Sequence, residues 1–149
     1  MRHGFAAQAL VWLTLALPLF ISIAGLAIDG GVLLASRRQL QSVADGAARA
    51  GATRLDLDRL RGSGGADVQL DQALALEAAT TYLDERLASE LTWPATPVTH
   101  VDVGQRRVHV LIQGTLRTAF LRVVNIDHVA VEASAFADLQ YGIHTGGGD

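Results

Sequence analysis

Two histidines with acidic and basic neighbours come nearest to a chemical site in this 149-residue sequence. His100 and His109 flank Gly104-Gln105 within the alternating stretches VTHVDV and RRVHVLIQ. A two-residue hairpin loop with Gly first would pair Val103 with Arg106, Asp102 with Arg107, Val101 with Val108 and His100 with His109. His100, Asp102, Arg107 and His109 then share one face of a ribbon. Three readings fit that cluster. It is half of a metal site, a contact that strengthens when the histidines protonate, or a solvated face with an Asp102–Arg107 ion pair. The remaining histidines are His3, His128 and His144.

Other chemistry finds no equipment. There is no cysteine, which removes thiol catalysis and cysteine-ligated metal, and leaves stability to packing or to partner subunits. No nucleophile-elbow motif accompanies the serines. The glycines at 62–65 match a phosphate loop in composition only, since no Lys-Ser/Thr follows them. Glu77, Asp84 and Glu85 fall on the solvated side of a helical pattern. A formal charge of −3 with twelve scattered arginines and no lysine gives no nucleic-acid footprint. The sequence therefore reads as non-enzymatic, with no cofactor, no resident metal and no nucleic-acid partner.

The element that positions everything else is the N-terminal helix. Residues 5–28 carry no charge, and a helix of that length reaches across the ~30 Å of a bilayer's hydrocarbon. Asp29 marks the exit. A retained span is favoured over a cleaved signal with a Gly25-Leu26-Ala27 exit, because the helical pattern continues through the supposed cut. Pro18 lies mid-span and removes a donor to the Thr14 carbonyl. Beyond Asp29 the pattern turns amphipathic to about residue 60. Along it small residues recur at fourth positions: Ala27, Gly31 and Ala35, then, after Gln39 and Val43 in the same row, Ala47 and Gly51. Such a row admits a close neighbour, either another subunit's helix or the chain's own sheet.

Residues 61–67 read as a Gly-rich linker, and residues 68–141 as a domain of one helix and a small antiparallel sheet. Asp67 is the expected N-cap of that helix, and Trp93-Pro94 its stop. Val101, Val103, Val108, Val110 and Ile112 alternate onto an inner face, joined by Val129, Val131, Ala133, Ala135, Ala137 and Leu139 from a third strand. Residues 142–149 read as a loose tail.

The stretch GFAAQALVWLTLALPLFISIAGLAIDGGVLLASRRQLQSVADGAARAGAT resembles the N-terminal segment of TadE/TadG-like proteins of the Tad (Flp) pilus assembly system. The features that carry the resemblance are the QALV opening, the mid-span Leu17-Pro18-Leu19, the AGLAID exit ending at Asp29, and Arg38-Gln39-Leu40-Gln41 followed by Ala44-Asp45-Gly46-Ala47-Ala48. The exit is nearer the TadG-like form. The resemblance implies an α+β, pseudopilin-like arrangement: a single transmembrane helix continuing into a long amphipathic helix, packed with a second helix on a three-stranded antiparallel sheet. It also implies a minor pilin, pseudopilin or assembly scaffold in a bacterial inner membrane, with its domain outside the cytoplasm. The implied partners are membrane lipid, other pilus or pseudopilin subunits and assembly-platform proteins. Gly4-Phe5 resembles a prepilin-peptidase processing site, although Ala9 and Trp12 stand where such family members carry a glutamate. The alternative is an extracytoplasmic binding module on a passive tether, with His100, Asp102, Arg107 and His109 in its ligand surface.

Overall fold

A computed structural model describes residues 3–90 and 95–139 of the chain. Helix α1 (His3–Ala52) is unbroken over 50 residues. It passes through Pro18 without interruption, and nearby hydroxyls bond back to carbonyls one turn earlier: Thr14 to Leu10 and Ser22 to Pro18. The large apolar side chains between residues 10 and 28 are each more than half exposed, on every side of the helix. A soluble core helix would bury one face of such a set, whereas this half of α1 is long and apolar enough to cross a membrane and is almost bare apart from Gly25.

The second half of α1 is a packing element. Asp29, Leu33, Ser36, Leu40, Val43, Ala44, Ala47, Ala48 and Gly51 follow the 3.6-residue period and form its more buried side. Helix α3 (Gln72–Glu90) lies along it through close approaches. The Tyr82 ring occupies the space that a side chain at Gly46 would need, and the Ala75 carbonyl stands 3.0 Å from where a Cβ on Gly51 would be. Leu40, Leu83, Val108, Val110 and Ile112 are the largest fully buried side chains of the resulting core.

The sheet is antiparallel, in the order β1 (Val98–Val103), β2 (Arg107–Arg117), β3 (His128–Asp138). Its inner face holds Val108, Val110, Ile112, Val131, Ala133 and Ala135, all buried, with Val101, Val103, Val129 and Ala137 partly covered. The α+β architecture with a long apolar N-terminal helix and a three-stranded antiparallel sheet agrees with expectation.

Several local details do not. α1 ends at Ala52 rather than near residue 60, and Leu55 makes an antiparallel bridge to Leu70. The glycine-rich stretch closes a short helix, α2 (Leu57–Gly62), with Gly64 and Gly65 at positive φ and the Gly65 N–H donating to the Leu60 carbonyl. Because residues up to Leu70 are held in that bridge, α3 begins later and its N-cap is Asp71, not Asp67. The Asp71 carboxylate accepts from Ala73 and Leu74 N–H at 3.1 Å each. After Gly114 the sequence LRTAFLRVVN suggests a short helical or irregular stretch, but strand β2 runs on to Arg117. The expected stop at Trp93-Pro94 and the tail at 142–149 lie outside the described residues.

The hairpin register is also corrected. The turn sits on Gln105-Arg106, one residue later than expected, and Gly104 N–H donates to the Arg107 carbonyl at 2.8 Å. Both turn carbonyls are claimed by other parts of the chain, Gln105 by Leu70 N–H and Arg106 by Leu139 N–H. Val103 therefore opposes Val108, Val101 opposes Val110, Asp102 opposes His109 and His100 opposes Leu111. Moving the turn by one residue moves each partner by two, which keeps every side chain on its expected face.

Candidate functional site: the helix exit and the faces beside it

Asp29 is 4 % exposed, although the large apolar side chains that precede it on the helix are each more than half exposed. Its carboxylate accepts three backbone N–H bonds, from Ala119 and Phe120 at 2.9 Å and from Leu121 at 2.7 Å. These donors open the short 3-10 helix (Leu121–Val124) in the β2–β3 connection. An ionised carboxylate is the natural filler for such a cluster of donors, since each bond is charge-assisted. Burial pushes the Asp29 carboxyl up, but the bonds from Leu121, Ala119 and Phe120 together outweigh it and hold the group below the usual carboxylate range. One turn earlier, the Phe120 ring lies where a Gly25 side chain would be: a Cβ there would stand 2.6 Å from two ring carbons. Gly25 and Asp29 therefore act as a pair on one helix face, one seating an aromatic ring and the other holding the backbone beside it.

The row of fourth-position small residues divides in two. Val43, Ala47 and Gly51 are buried in the domain's own core, whereas Ala27, Gly31 and Ala35 are exposed. A step of four residues turns an α-helix by ~400°, so the row drifts ~40° per step around the axis. By six steps it has left the domain-facing side. Nothing lies within 4 Å of a side chain placed at Gly30 or Gly31. The upper segment is a flat, uncovered strip between the apolar half of the helix and the domain.

The outer sheet face brings the four polar candidates near one another, but differently from the expected set. His100 and His109 are diagonal rather than opposite. Arg107 pairs with Asp138, not Asp102, in a two-pronged contact of 2.5 and 3.1 Å, and its guanidinium lies 5.1 Å from the centre of the Phe136 ring. Among the described residues no three His, Asp or Glu side chains gather as a metal site would require. Gly4 and Phe5 lie in the first turns of α1.

The residues that sequence reasoning missed are Gly25, Phe120 and the N–H groups of 119–121. Asp29 was legible as a boundary, and a carboxylate beside an apolar span needs a partner. That need was the available signal, but the partner lies ninety residues away in the chain.

Residues 7–54 match the model of a family described as Putative Flp pilus-assembly TadE/G-like. The matched segment contains the apolar half of α1, the Gly25–Asp29 pair, the exposed small strip and the core-forming half of the helix. No curated protein and no solved structure gives a significant match.

Proposed function

We propose that this chain is a non-enzymatic, membrane-anchored component of a Tad-type pilus or a related secretion machine, acting as a minor pilin, pseudopilin or assembly scaffold. The observation that carries this reading is the division of α1. Its lower half packs in the chain's own core, while Ala27, Gly31 and Ala35 remain an uncovered small-residue strip at the membrane exit. Flat strips of this kind let helices approach closely, and in lipid they associate by packing rather than by burial from water. Similarity of residues 7–54 to a pilus-assembly family supports the same reading.

On this reading the span sits in a bacterial inner membrane, the domain lies outside the cytoplasm, and neighbouring pilus subunits or assembly-platform proteins meet the strip. Prepilin peptidase is the candidate processor at Gly4-Phe5. Retention of the span is supported by the Gly25–Phe120 seat, which a cut after Ala27 would remove.

The test is to widen the strip without touching the core. Gly31→Leu and Ala35→Leu add bulk to the exposed strip, and at Gly31 there is nothing within 4 Å to displace. The protein should accumulate and fold normally while pilus or secretion assembly falls at least tenfold. Normal assembly with both substitutions present would overturn the proposal in favour of a passive tether.

A further inference from the structure

The β2–β3 connection carries an apolar surface that the fold leaves uncovered. Val123 is 87 % exposed and Val124 65 %, and Phe120 and Ile126 are each more than two-fifths exposed. Its height along α1 is fixed. Phe120 is seated on Gly25, four residues and ~6 Å to the membrane side of Asp29, so the ring lies level with the last turn of the apolar span. The next charged residues on α1, Arg37 and Arg38, lie ~12 Å beyond Asp29 on the other side.

The connection is also built for a place with little water. Thr118 N–H donates to the Asp127 carbonyl, and 119–121 donate to Asp29. Val123, Asn125 and Ile126 donate to the carbonyls of Phe120, Arg122 and Leu121, and the Thr118 hydroxyl to that of Ile126. Asn125 ends the turn in the left-handed region at φ 66°. Each backbone group paired in this way needs no water partner, which lowers the cost of moving the turn from water into the membrane interface. Arg122, paired with Asp127 at 3.2 Å, has a stem long enough to keep its charge in the headgroups.

We propose that residues 120–126 form a membrane-interface foot. Phe120, Val123, Val124 and Ile126 enter the boundary between headgroups and acyl chains beside the exit of α1, and the Asp29 bonds lock them there. The bilayer then holds the domain at one height and tilt, which presents the Ala27–Gly31–Ala35 strip to neighbours in a fixed orientation. This rests on the membrane-spanning reading of α1, and the test separates the two.

The chain has no cysteine, so single-cysteine variants of the full protein take a fluorescent label cleanly. Val123→Cys, with Val124→Cys as a second foot position, is compared in phosphatidylcholine/phosphatidylglycerol vesicles with Val11→Cys in the span and Asp58→Cys on the distal end. The foot labels should be quenched by lipids with a shallow nitroxide at least threefold more than the Asp58 label, and shielded from aqueous iodide. Foot labels that behave like Asp58 while Val11 is quenched by lipid would overturn the foot and leave the span standing. Lipid quenching absent at Val11 as well would overturn both. Foot labels shielded from iodide but untouched by lipid quenchers would mean that a protein neighbour covers them, which also overturns the proposal.

Discussion

Gly51→Ala sets two opposing effects against each other at a site where the geometry decides the sign. Alanine in place of glycine favours a helix by up to about 1 kcal/mol, and less near a helix end such as this one. Against that, the new methyl would sit 3.0 Å from the Ala75 carbonyl oxygen and 3.2 Å from both Val108 methyls. Ala75 and Val108 are fully buried, so neither the α3 backbone nor the valine has free space into which to retreat. Overpacking of this kind costs about 1–3 kcal/mol, leaving a net loss of about 1 kcal/mol. For a domain of this size that lowers Tm by roughly 4–8 °C. Thermal unfolding of the full chain in detergent, followed by circular dichroism, measures it. Gly31→Ala serves as the control, because nothing lies within 4 Å of its new methyl, and Tm should not fall. Adding Val108→Ala to Gly51→Ala should cost less than the two changes summed, since the smaller side chain makes room. A Gly51→Ala protein as stable as wild type, with no coupling to Val108, would refute the claim that α1 is packed closely against α3 and β2 at Gly51.

Other outcomes follow from the same structure. Leu40→Ala removes a fully buried side chain from the centre of the core and should cost about 2–5 kcal/mol by denaturant unfolding. Asp29→Ala should speed amide hydrogen exchange at 119–121 at least tenfold while exchange in the β1–β2 pairing changes little. Because the Asp29 pKa in the folded protein lies below its unfolded value, its contribution is fully present above the unfolded pKa. It is lost as pH falls through the folded one, so acid should loosen the same three amides in wild type and have no such effect in Asp29→Ala. Arg107→Ala should leave Tm almost unchanged, because the Arg107–Asp138 pair is exposed to solvent. Intact mass of the purified protein should correspond to the full chain or to a cut after Gly4, and never to a cut after Ala27.

Much of the fold was legible because it rests on periodicity. The uncharged run at 5–28 is read from length alone, and the strand faces follow from alternation, which survived the misplaced turn because partners moved by two. What failed depended on distant residues. The turn position is set by Leu70 and Leu139 claiming the carbonyls of Gln105 and Arg106, and no local turn rule contains them. The same holds for Arg107, which finds Asp138 across the sheet instead of Asp102. The small-residue row divides for a geometric reason: four-residue spacing looks like one face over two steps and precesses off it over six. The Gly25–Asp29 pair is visible as residues, but its purpose lies in the β2–β3 connection some ninety residues away in the chain.

If α1 keeps its lower face for itself and offers its upper strip to neighbours, contacts between subunits must form at the strip and not in the core. In-cell disulfide and bismaleimide crosslinking reads this from single cysteines at Ala27, Gly31 and Ala35, with Ala47→Cys as the buried comparison. Adducts to other subunits at the three upper positions, and none at Ala47, are the predicted result. Upper positions that yield only monomer in cells assembling normal pili would contradict it.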